Sequence, residues 1–275
     1  MRVHYMSDLH LESQGFAARM PEGDVLIIAG DLCHACCFEA DANDGYNIKQ
    51  RDRALGVIDA ARKNFAHVLL VPGNHEHYGS VFDETVPKLR RALPGVTVLD
   101  NESIAIGDVR FFGTTLWSDF EGRSTAGMDA VRKRCGEFFF VKMRVRDPAG
   151  QEEGQETLRK FRPEDALAAF DVALATLRAD LAQPNRKPTV VINHHAPSPK
   201  GLNPFHGGGE LDGAYASDLE AMIAALENVP VWIHGHTHIR RLYKIGRTEI
   251  RTDARGFDGR DLGARKFTGQ SFFEI

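Results

Sequence analysis

The sequence predicts an α/β fold with a β-sheet of mixed strand direction, and three observations support this prediction. In the first half of the chain, apolar strand-like runs alternate with helix-like segments, as in the β-α-β units of a parallel sheet. Short β-like segments then follow one another directly, which indicates an antiparallel portion. Several apolar runs end in a loop that carries Asp, Asn or His. Since ligands of α/β sheets bind at the carboxyl ends of the strands, we expect a functional site where these loops meet.

The first half of the chain contains the predicted β-α-β units. Its strands are short apolar runs bounded by Gly, Pro or Asp, and its helices show apolar residues at helical spacing. The predicted strands are residues 3–6, 24–29, 67–71, 96–99, 103–106 and 109–113, the last three spaced like a meander, and the predicted helices are 52–65 and 82–93.

The second half begins with a segment that fits no clean period, residues 117–162, which we interpret as an insertion in a single domain spanning residues 1–275. Pro163 then opens the clearest helix, because proline suits the first turn and the acids Glu164 and Asp165 suit the positive end of the helix dipole. The predicted elements are helices at 163–181 and near 217–227, strands at 189–193 and 229–234, and a hairpin of 242–245 with 248–251 around Gly246.

Composition excludes several classes of protein. The chain has 275 residues, 43% of them hydrophobic, and a formal net charge of −4, which allows a sizeable core and gives no general attraction to nucleic acid or anionic lipid. No stretch of about 18 apolar residues occurs and no apolar leader is visible, so we expect a cytoplasmic protein without membrane contact. Cys33 and Cys36 have no second pair at zinc-site spacing, and we expect reduced thiols.

Residues of the kinds that bind metal ions follow the predicted strands. Eight of the 12 histidines fall in four short segments, DLH, GNHEH, NHHAP and HGHTH. Because the carboxyl ends of parallel strands share one edge of a sheet, we expect these segments to meet. The potential ligands after successive strands are Asp8 and His10, Asp31, Asn74 and His75, His194 and His195, and His236 and His238.

This donor set suits a pair of transition-metal ions. Two cations a few ångströms apart need a bridging carboxylate, and Asp31 is the natural candidate because Gly30 lets the backbone turn sharply before it. Imidazoles with few carboxylates favour Mn, Fe, Zn or Co over Mg or Ca. Water bound between such ions has a strongly lowered pKa, so that a hydroxide becomes available to attack phosphorus.

The same residues resemble the motifs of a known family, the calcineurin-like metallophosphoesterases. The family pattern runs D-x-H, G-D, G-N-H-[D/E], H and G-H-x-H, and all five blocks occur here in order between residues 8 and 238. The resemblance implies a two-layer mixed β-sandwich flanked by helices, in α-β-β-α order, with a dinuclear centre that cleaves phosphoester bonds. The blocks are Asp8-Leu9-His10, Gly30-Asp31, Gly73-Asn74-His75-Glu76, His194 or His195, and Gly235-His236-Thr237-His238.

The resemblance also implies a role for each motif residue. His75 would not be a ligand but would donate a proton or a hydrogen bond to the leaving-group oxygen. Aligning Pro197 with the second proline of the family's H-x-P-P or H-H-P-P motif selects His194 as ligand, and aligning it with the first selects His195; we favour His194. The implied ligands are Asp8, His10 and His238 for one ion, Asn74, His236 and one of the paired histidines for the other, and Asp31 as the bridge.

The predicted function is therefore metal-dependent hydrolysis of a phosphoric ester by a metal-bridging hydroxide, on a small phosphodiester or phosphomonoester. Two alternatives stay open. One is a nuclease, which rests on residues 131–146, where six Lys or Arg accompany three consecutive phenylalanines. The other is a non-catalytic scaffold on the same fold, which would not need the complete set of ligands found here. Nucleic acid is the less favoured partner, since these phenylalanines also suit a packed core.

Overall fold

The computed structural model describes residues 1–17, 19–146, 156–184, 187–205 and 208–275. The strands are β1 (Arg2–Met6), β2 (Gly23–Ala29), β3 (Phe65–Val71), β4 (Thr97–Val98), β5 (Glu102–Ile106), β6 (Val109–Thr114), β7 (Lys142–Arg146), β8 (Glu156–Lys160), β9 (Thr189–Asn193), β10 (Val231–Ile233), β11 (Arg240–Ile245), β12 (Thr248–Asp253) and β13 (Phe272–Glu274). The helices are α1 (Gly45–Asn64), α2 (Thr85–Ala92), α3 (Phe120–Arg123), α4 (Thr125–Arg132), α5 (Glu137–Phe140), α6 (Pro163–Leu181), α7 (Asp212–Tyr215) and α8 (Glu220–Ala224).

Two mixed β-sheets carry the fold. Within the described residues, the first sheet has the order β13-β1-β2-β3-β4, in which β1 to β4 are parallel and β13 is antiparallel to β1. The second sheet has the order β11-β12-β10-β9-β6-β5, with four parallel central strands and an antiparallel strand at each edge. The predicted mixture of parallel and antiparallel pairing is therefore confirmed.

The sheets pack face to face because successive residues of a strand point to opposite faces. Phe111 lies in the core between the sheets, with Ile27 and Leu69 of the first sheet, whereas the next residue, Phe112, lies on the outer face of the second sheet. That outer face is covered by α6, and the outer face of the first sheet is covered by α1 and α2. The layers follow the order α-β-β-α, as the family resemblance implies.

Two predictions about local structure need correction. Helix α1 begins at Gly45 rather than residue 52, because the Asp44 carboxylate accepts hydrogen bonds from the N–H groups of Tyr46 and Asn47, at 3.0 Å each. The meander expected over residues 96–113 is also wrong, since β4 joins β3 in the first sheet while β5 and β6 form a hairpin in the second. Strand β13, which pairs with β1, was not predicted.

The segment 117–162 contains α3, α4, α5 and the β7–β8 hairpin, with residues 147–155 outside the described part. Its side chains Phe120, Val131, Phe138 and Phe161 are buried in the same cluster as α6. The segment thus packs on the outer face of the second sheet, and its interpretation as an insertion stays a prediction. No helix in the described parts of the chain is both long and apolar enough to cross a membrane.

Candidate metal centre

The loops that follow β1, β2, β3, β9 and β10 meet at one end of the sandwich, as expected for parallel strands. Asp8, His10, Asp31, His236 and His238 in these loops all have positive φ, between 47° and 65°. Residues other than glycine rarely adopt this backbone conformation, and such strain concentrates at functional sites. The folded chain therefore holds five of the predicted ligands in strained conformations.

Two motif glycines let the loops approach each other closely. Gly30 has a φ of 88°, and a Cβ atom there would collide with the ring of His194. A Cβ atom at Gly73 would collide with the carboxylate of Asp31. The glycines of the G-D and G-N-H motifs are thus required because potential ligands occupy the space where a side chain would be.

The first group of potential ligands consists of Asp8, His10, Asp31 and His238, whose ligand atoms all lie within 4.8 Å of one another. The Nε2 atoms of His10 and His238 are 3.0 Å apart. His238 Nε2 lies 3.4 Å from Asp8 Oδ1, and His10 Nε2 lies 3.8 Å from Asp31 Oδ2. Two imidazoles and two carboxylates therefore converge on one point.

Hydrogen bonds at the opposite ring nitrogens show that this group fits a cation. His10 Nδ1 lies 2.9 Å from Glu12 Oε1, and His238 Nδ1 lies 2.8 Å from Asp261 Oδ2. When each Nδ1–H donates to its carboxylate, the two Nε2 lone pairs face each other across 3.0 Å. Lone pairs at that distance repel unless a proton or a metal ion lies between them, and carboxylate-bound imidazoles are the usual ligands of transition metals.

The second group consists of Asp31, His194 and His236. His194 Nε2 lies 3.3 Å from Asp31 Oδ2 and 3.1 Å from Asn74 Oδ1, while its Nδ1 donates to the carbonyl of Ala29 at 2.8 Å. The backbone N–H of His236 donates to both oxygens of Asp8, at 3.0 Å each. Asp31 belongs to both groups, so the two groups are adjacent and share one carboxylate.

The electrostatics of the centre favour bound positive charge. Burial raises the pKa of Asp31, but neighbouring imidazoles, chiefly His194, outweigh burial and hold it well below its usual value. Burial lowers the pKa of His238, but its hydrogen bonds to Asp261 and Asp8 raise it to about 10. Burial lowers the pKa of His10 and of His236, so these two imidazoles stay neutral beside ionised carboxylates, as the ligands of a metal cation must be.

The paired histidines differ in their surroundings. Whereas His194 faces Asp31 and Asn74, His195 donates from Nδ1 to the carbonyl of Thr115 at 3.3 Å, and its ring lies 5.2 Å from that of Trp117. Within the described residues, His195 belongs to neither group of potential ligands. Burial lowers the pKa of His195 to about 3, so its imidazole is neutral.

His75 belongs to neither of these two groups, but with His10 and Glu12 it forms a third cluster whose potential ligand atoms lie within 4.8 Å of one another. Its backbone N–H donates to Asp31 Oδ1 at 2.9 Å, and its Nδ1 lies 3.0 Å from Glu12 Oε1. Its ring stacks on Tyr78 with 4.3 Å between the ring centres, and the side chain is 19% exposed where it lines a cavity. Burial lowers the pKa of His75, but Asp31 and Glu12 raise it above its usual value.

Glu76, a motif residue without a predicted role, joins two of the loops. Its fully buried carboxylate accepts hydrogen bonds from the N–H groups of Asp31 at 2.9 Å, Leu32 at 2.6 Å, Cys33 at 3.3 Å and Gly73 at 2.6 Å. The carboxylate thus fixes the loop that carries Asp31 against the loop that carries Asn74.

Three other residues of the site were missed in the sequence. Glu12 follows His10 by two positions, and this spacing in a short loop was the one signal available for it. Asp261 lies beyond the last motif, and Glu137 lies in the segment 117–162, so neither has a local signal. The Asp261 carboxylate contacts His238, and the Glu137 carboxylate contacts Asn74.

A cavity of about 560 Å³ opens above the centre. Its walls include Asp31, Asn74, His75, His236 and His238, together with residues 134–137, 202–203, 209–212, 214–215, 257 and 260–261. Arg134 and Glu210 also line the cavity, where they form an ion pair of 3.4 Å, and both side chains are more than half exposed.

Three of the six basic residues of 131–146 form ion pairs with acids among the described residues. Arg132 lies 2.6 Å from Glu164, and Arg144 forms ion pairs with Asp83, Glu84 and Glu156. Of the three phenylalanines, Phe138 is buried, whereas the next two are exposed. In its described part, the segment therefore lacks a continuous surface of basic side chains without acidic partners.

Comparisons with known proteins agree with this geometry. The family described as calcineurin-like phosphoesterase matches residues 1–240. The chain is 24% identical to the uncharacterized protein L509 of Acanthamoeba polyphaga mimivirus over 281 aligned residues, 94% of this chain and 92% of that protein. Among solved structures it is similar to phosphopantetheinyl hydrolase from Mycobacterium tuberculosis, with 20% identity, a TM-score of 0.62, and coverage of 99% of this chain and 95% of that chain. This structural likeness shows a shared fold.

Proposed function

The chain belongs to the calcineurin-like phosphoesterase family, and from this premise we propose that it hydrolyses a small phosphodiester or phosphomonoester. Membership makes it a phosphoester hydrolase that depends on a dinuclear metal centre. The observation that carries the proposal is the position of Asp31, whose carboxylate is shared by both groups of potential ligands.

The proposed ligands divide between the two groups. Asp31 would bridge the ions, and His194 rather than His195 would serve the second ion, since His194 Nε2 faces Asp31 and Asn74. Two bound ions would neutralise the phosphoryl oxygens and lower the pKa of a water molecule between them, so that it can attack phosphorus. The proposed set is Asp8, His10 and His238 for the first ion, Asn74, His194 and His236 for the second, and Asp31 for both.

His75 is the proposed catalytic residue. Glu12 holds its Nδ1 at 3.0 Å, which leaves Nε2 free to donate to the leaving-group oxygen. The backbone N–H of His75 donates to Asp31, so the imidazole is fixed to the residue that would bridge the ions. This arrangement supports a role for His75 as the proton donor at the point where negative charge would develop.

The cavity supports a small substrate. Its volume of about 560 Å³ lies within the range of pockets that enclose a drug-sized molecule, roughly 300–1,000 Å³. Arg134 and Glu210, which line the cavity, neutralise each other and so add no net positive charge that would attract a long polyanion. A nuclease therefore stays the second candidate. Its test is salt-dependent oligonucleotide binding that weakens when Arg132, Lys133 and Arg134 are changed to Ala.

The experiment that tests the proposal is an activity screen on metal-free protein loaded in turn with Mn²⁺, Fe²⁺, Zn²⁺ and Co²⁺. Bis-p-nitrophenyl phosphate and p-nitrophenyl phosphate compare diester with monoester cleavage. Cyclic nucleotides and phosphopantetheine widen the panel, the latter because the Mycobacterium tuberculosis protein with the shared fold is a phosphopantetheinyl hydrolase. We expect turnover that depends on the added metal. No turnover with any metal and substrate would favour the scaffold hypothesis.

The role of His75 has its own test. In His75→Ala, kcat should fall by about 10²–10⁴-fold, the usual contribution of a general acid. Binding of two metal ions per chain should persist, because His75 is not a proposed ligand. His67→Ala, at an exposed histidine of β3, is the matched control and should retain the wild-type rate. Wild-type turnover in His75→Ala would remove His75 from the mechanism.

A further inference from the structure

The proposed ligand Asn74 is held by a carboxylate from the segment 117–162. The Asn74 amide nitrogen lies 3.4 Å from Glu137 Oε2 and 3.3 Å from the hydroxyl of Tyr78. The Tyr78 hydroxyl in turn donates to the same Glu137 oxygen at 3.2 Å. The Glu137 side chain is therefore the common acceptor for two residues of the loop that follows β3.

These hydrogen bonds decide which end of the Asn74 amide faces the metal centre. A carboxylate can only accept, so Glu137 attracts the NH₂ group of Asn74 and repels its carbonyl oxygen. The carbonyl oxygen then points the other way, where it lies 3.1 Å from His194 Nε2. A flipped amide would turn its NH₂ donors toward the proposed ion. Its carbonyl oxygen would then face the carboxylate oxygen of Glu137.

The burial of Glu137 needs an explanation, because a buried acid is costly. The residue is 5% exposed, and no Lys or Arg of the described residues forms an ion pair with it. Burial raises the pKa of Glu137. An acid in such a place persists only when its hydrogen bonds or its function offset the loss of hydration. Here the hydrogen bonds go to a proposed metal ligand and to the tyrosine on which His75 stacks.

The backbone of the segment is also docked onto the same loop. A Cβ atom at Gly136 would lie 2.5 Å from the Tyr78 hydroxyl, so only glycine permits this approach. The N–H of Gly79 donates to the carbonyl of Phe140 at 2.9 Å, and the N–H of Lys142 donates to the carbonyl of Ser80 at 3.0 Å. The position of Glu137 is thus set by contacts on both sides of it.

We propose that Glu137 is a positioning residue for the second metal ion: it fixes the Asn74 amide with its carbonyl oxygen toward that ion. The segment 117–162 would then complete the metal centre as well as form a wall of the cavity. The inference rests on the proposed function, since it assumes that Asn74 is a ligand.

The test is calorimetric titration of Mn²⁺ into metal-free protein. In Glu137→Ala, the affinity for one of the two ions should fall by about 10–100-fold, as for other residues that orient metal ligands, while the other ion binds as in wild type. Glu137→Gln keeps an acceptor oxygen for both donors and should restore most of the affinity. Asp129→Ala, at an exposed position of α4 in the same segment, is the control and should bind both ions normally.

Activity at rising Mn²⁺ concentration separates positioning from folding. If Glu137 acts through the second ion, excess Mn²⁺ should restore most of the turnover of Glu137→Ala. If Glu137→Ala does not fold, as judged by circular dichroism, Tyr78→Phe is the second variant. It removes one of the two donors and should lower the affinity for the same ion by a smaller factor. An equal loss of affinity for both ions, or unchanged affinity for both, would overturn the inference. A wild-type protein that binds fewer than two ions would instead refute the proposed dinuclear assignment itself.

Discussion

At the scale of residues, the centre combines proposed ligands that sequence motifs indicate with neighbouring residues that the motifs do not indicate. Asp31, Asn74 and His236 lie two or three residues after the ends of parallel strands, which bring such residues together, so their proximity could be predicted. Glu137 and Asp261 act across long sequence separations, 63 residues to Asn74 and 23 residues to His238, and only the folded chain brings these pairs together. The motif residue Glu76 was visible in the sequence, but its hydrogen-bond donors were not.

Glu76 yields a prediction about stability. Glu76→Gln replaces one acceptor oxygen with an NH₂ group, which would leave two buried backbone N–H donors unpaired. At about 1–3 kcal/mol for each unsatisfied group, the free energy of unfolding should fall by about 2–6 kcal/mol. Urea unfolding of metal-free protein measures the change. Glu227→Gln, at an exposed glutamate, should change it by less than about 0.5 kcal/mol. An equally small change in Glu76→Gln would contradict the role of Glu76.

At the scale of elements, prediction succeeded where local chemistry decides the structure. Helix α6 spans Pro163–Leu181 as predicted, because proline and two acids mark its first turn. The hairpin of β11 and β12 turns at Gly246, whose φ is 56°. Strand β4 was assigned to the wrong neighbours because a strand two residues long carries no signal for the sheet it joins. Its position is fixed by pairing with β3.

The start of α6 can be tested at Asp165. Its carboxylate accepts from the backbone N–H of Arg162 at 2.9 Å and forms an ion pair with Arg159 of β8. Asp165→Ala should lower the free energy of unfolding by about 1–2 kcal/mol, the usual range for a lost helix cap. Asp171→Ala on the same helix breaks an exposed ion pair with Arg123 and should cost less than about 1 kcal/mol. If the free energy of unfolding falls equally in the two variants, the cap contributes no more stability than an exposed ion pair.

At the scale of the whole molecule, the proposed metal centre connects both sheets. Asp8, Asp31 and Asn74 follow strands of the first sheet, and His194 and His236 follow strands of the second. The two-layer architecture was predictable through the family resemblance, which is confirmed, whereas the spacing of strands alone indicated only a mixed sheet. A metal ion bound by both sheets should therefore stabilise the entire fold.

Thermal unfolding tests this connection. At a free Mn²⁺ concentration of about 100 times the Kd, each occupied site should add about 2.7 kcal/mol to the stability of the folded chain. The Tm should rise in Mn²⁺ relative to EDTA, and the rise should be much smaller in Asp31→Asn. A Tm that is identical in Mn²⁺ and EDTA would mean that the ligands of the two sheets do not bind a common metal centre.

The central claim is that Asp31 bridges two metal ions, and electron paramagnetic resonance of protein loaded with two Mn²⁺ per chain tests it most directly. Two Mn²⁺ ions joined by a carboxylate are magnetically coupled, so we expect the spectrum of an exchange-coupled pair. In Asp31→Asn this spectrum should disappear. A wild-type protein that binds two Mn²⁺ ions but gives only the spectrum of isolated ions would contradict the shared centre.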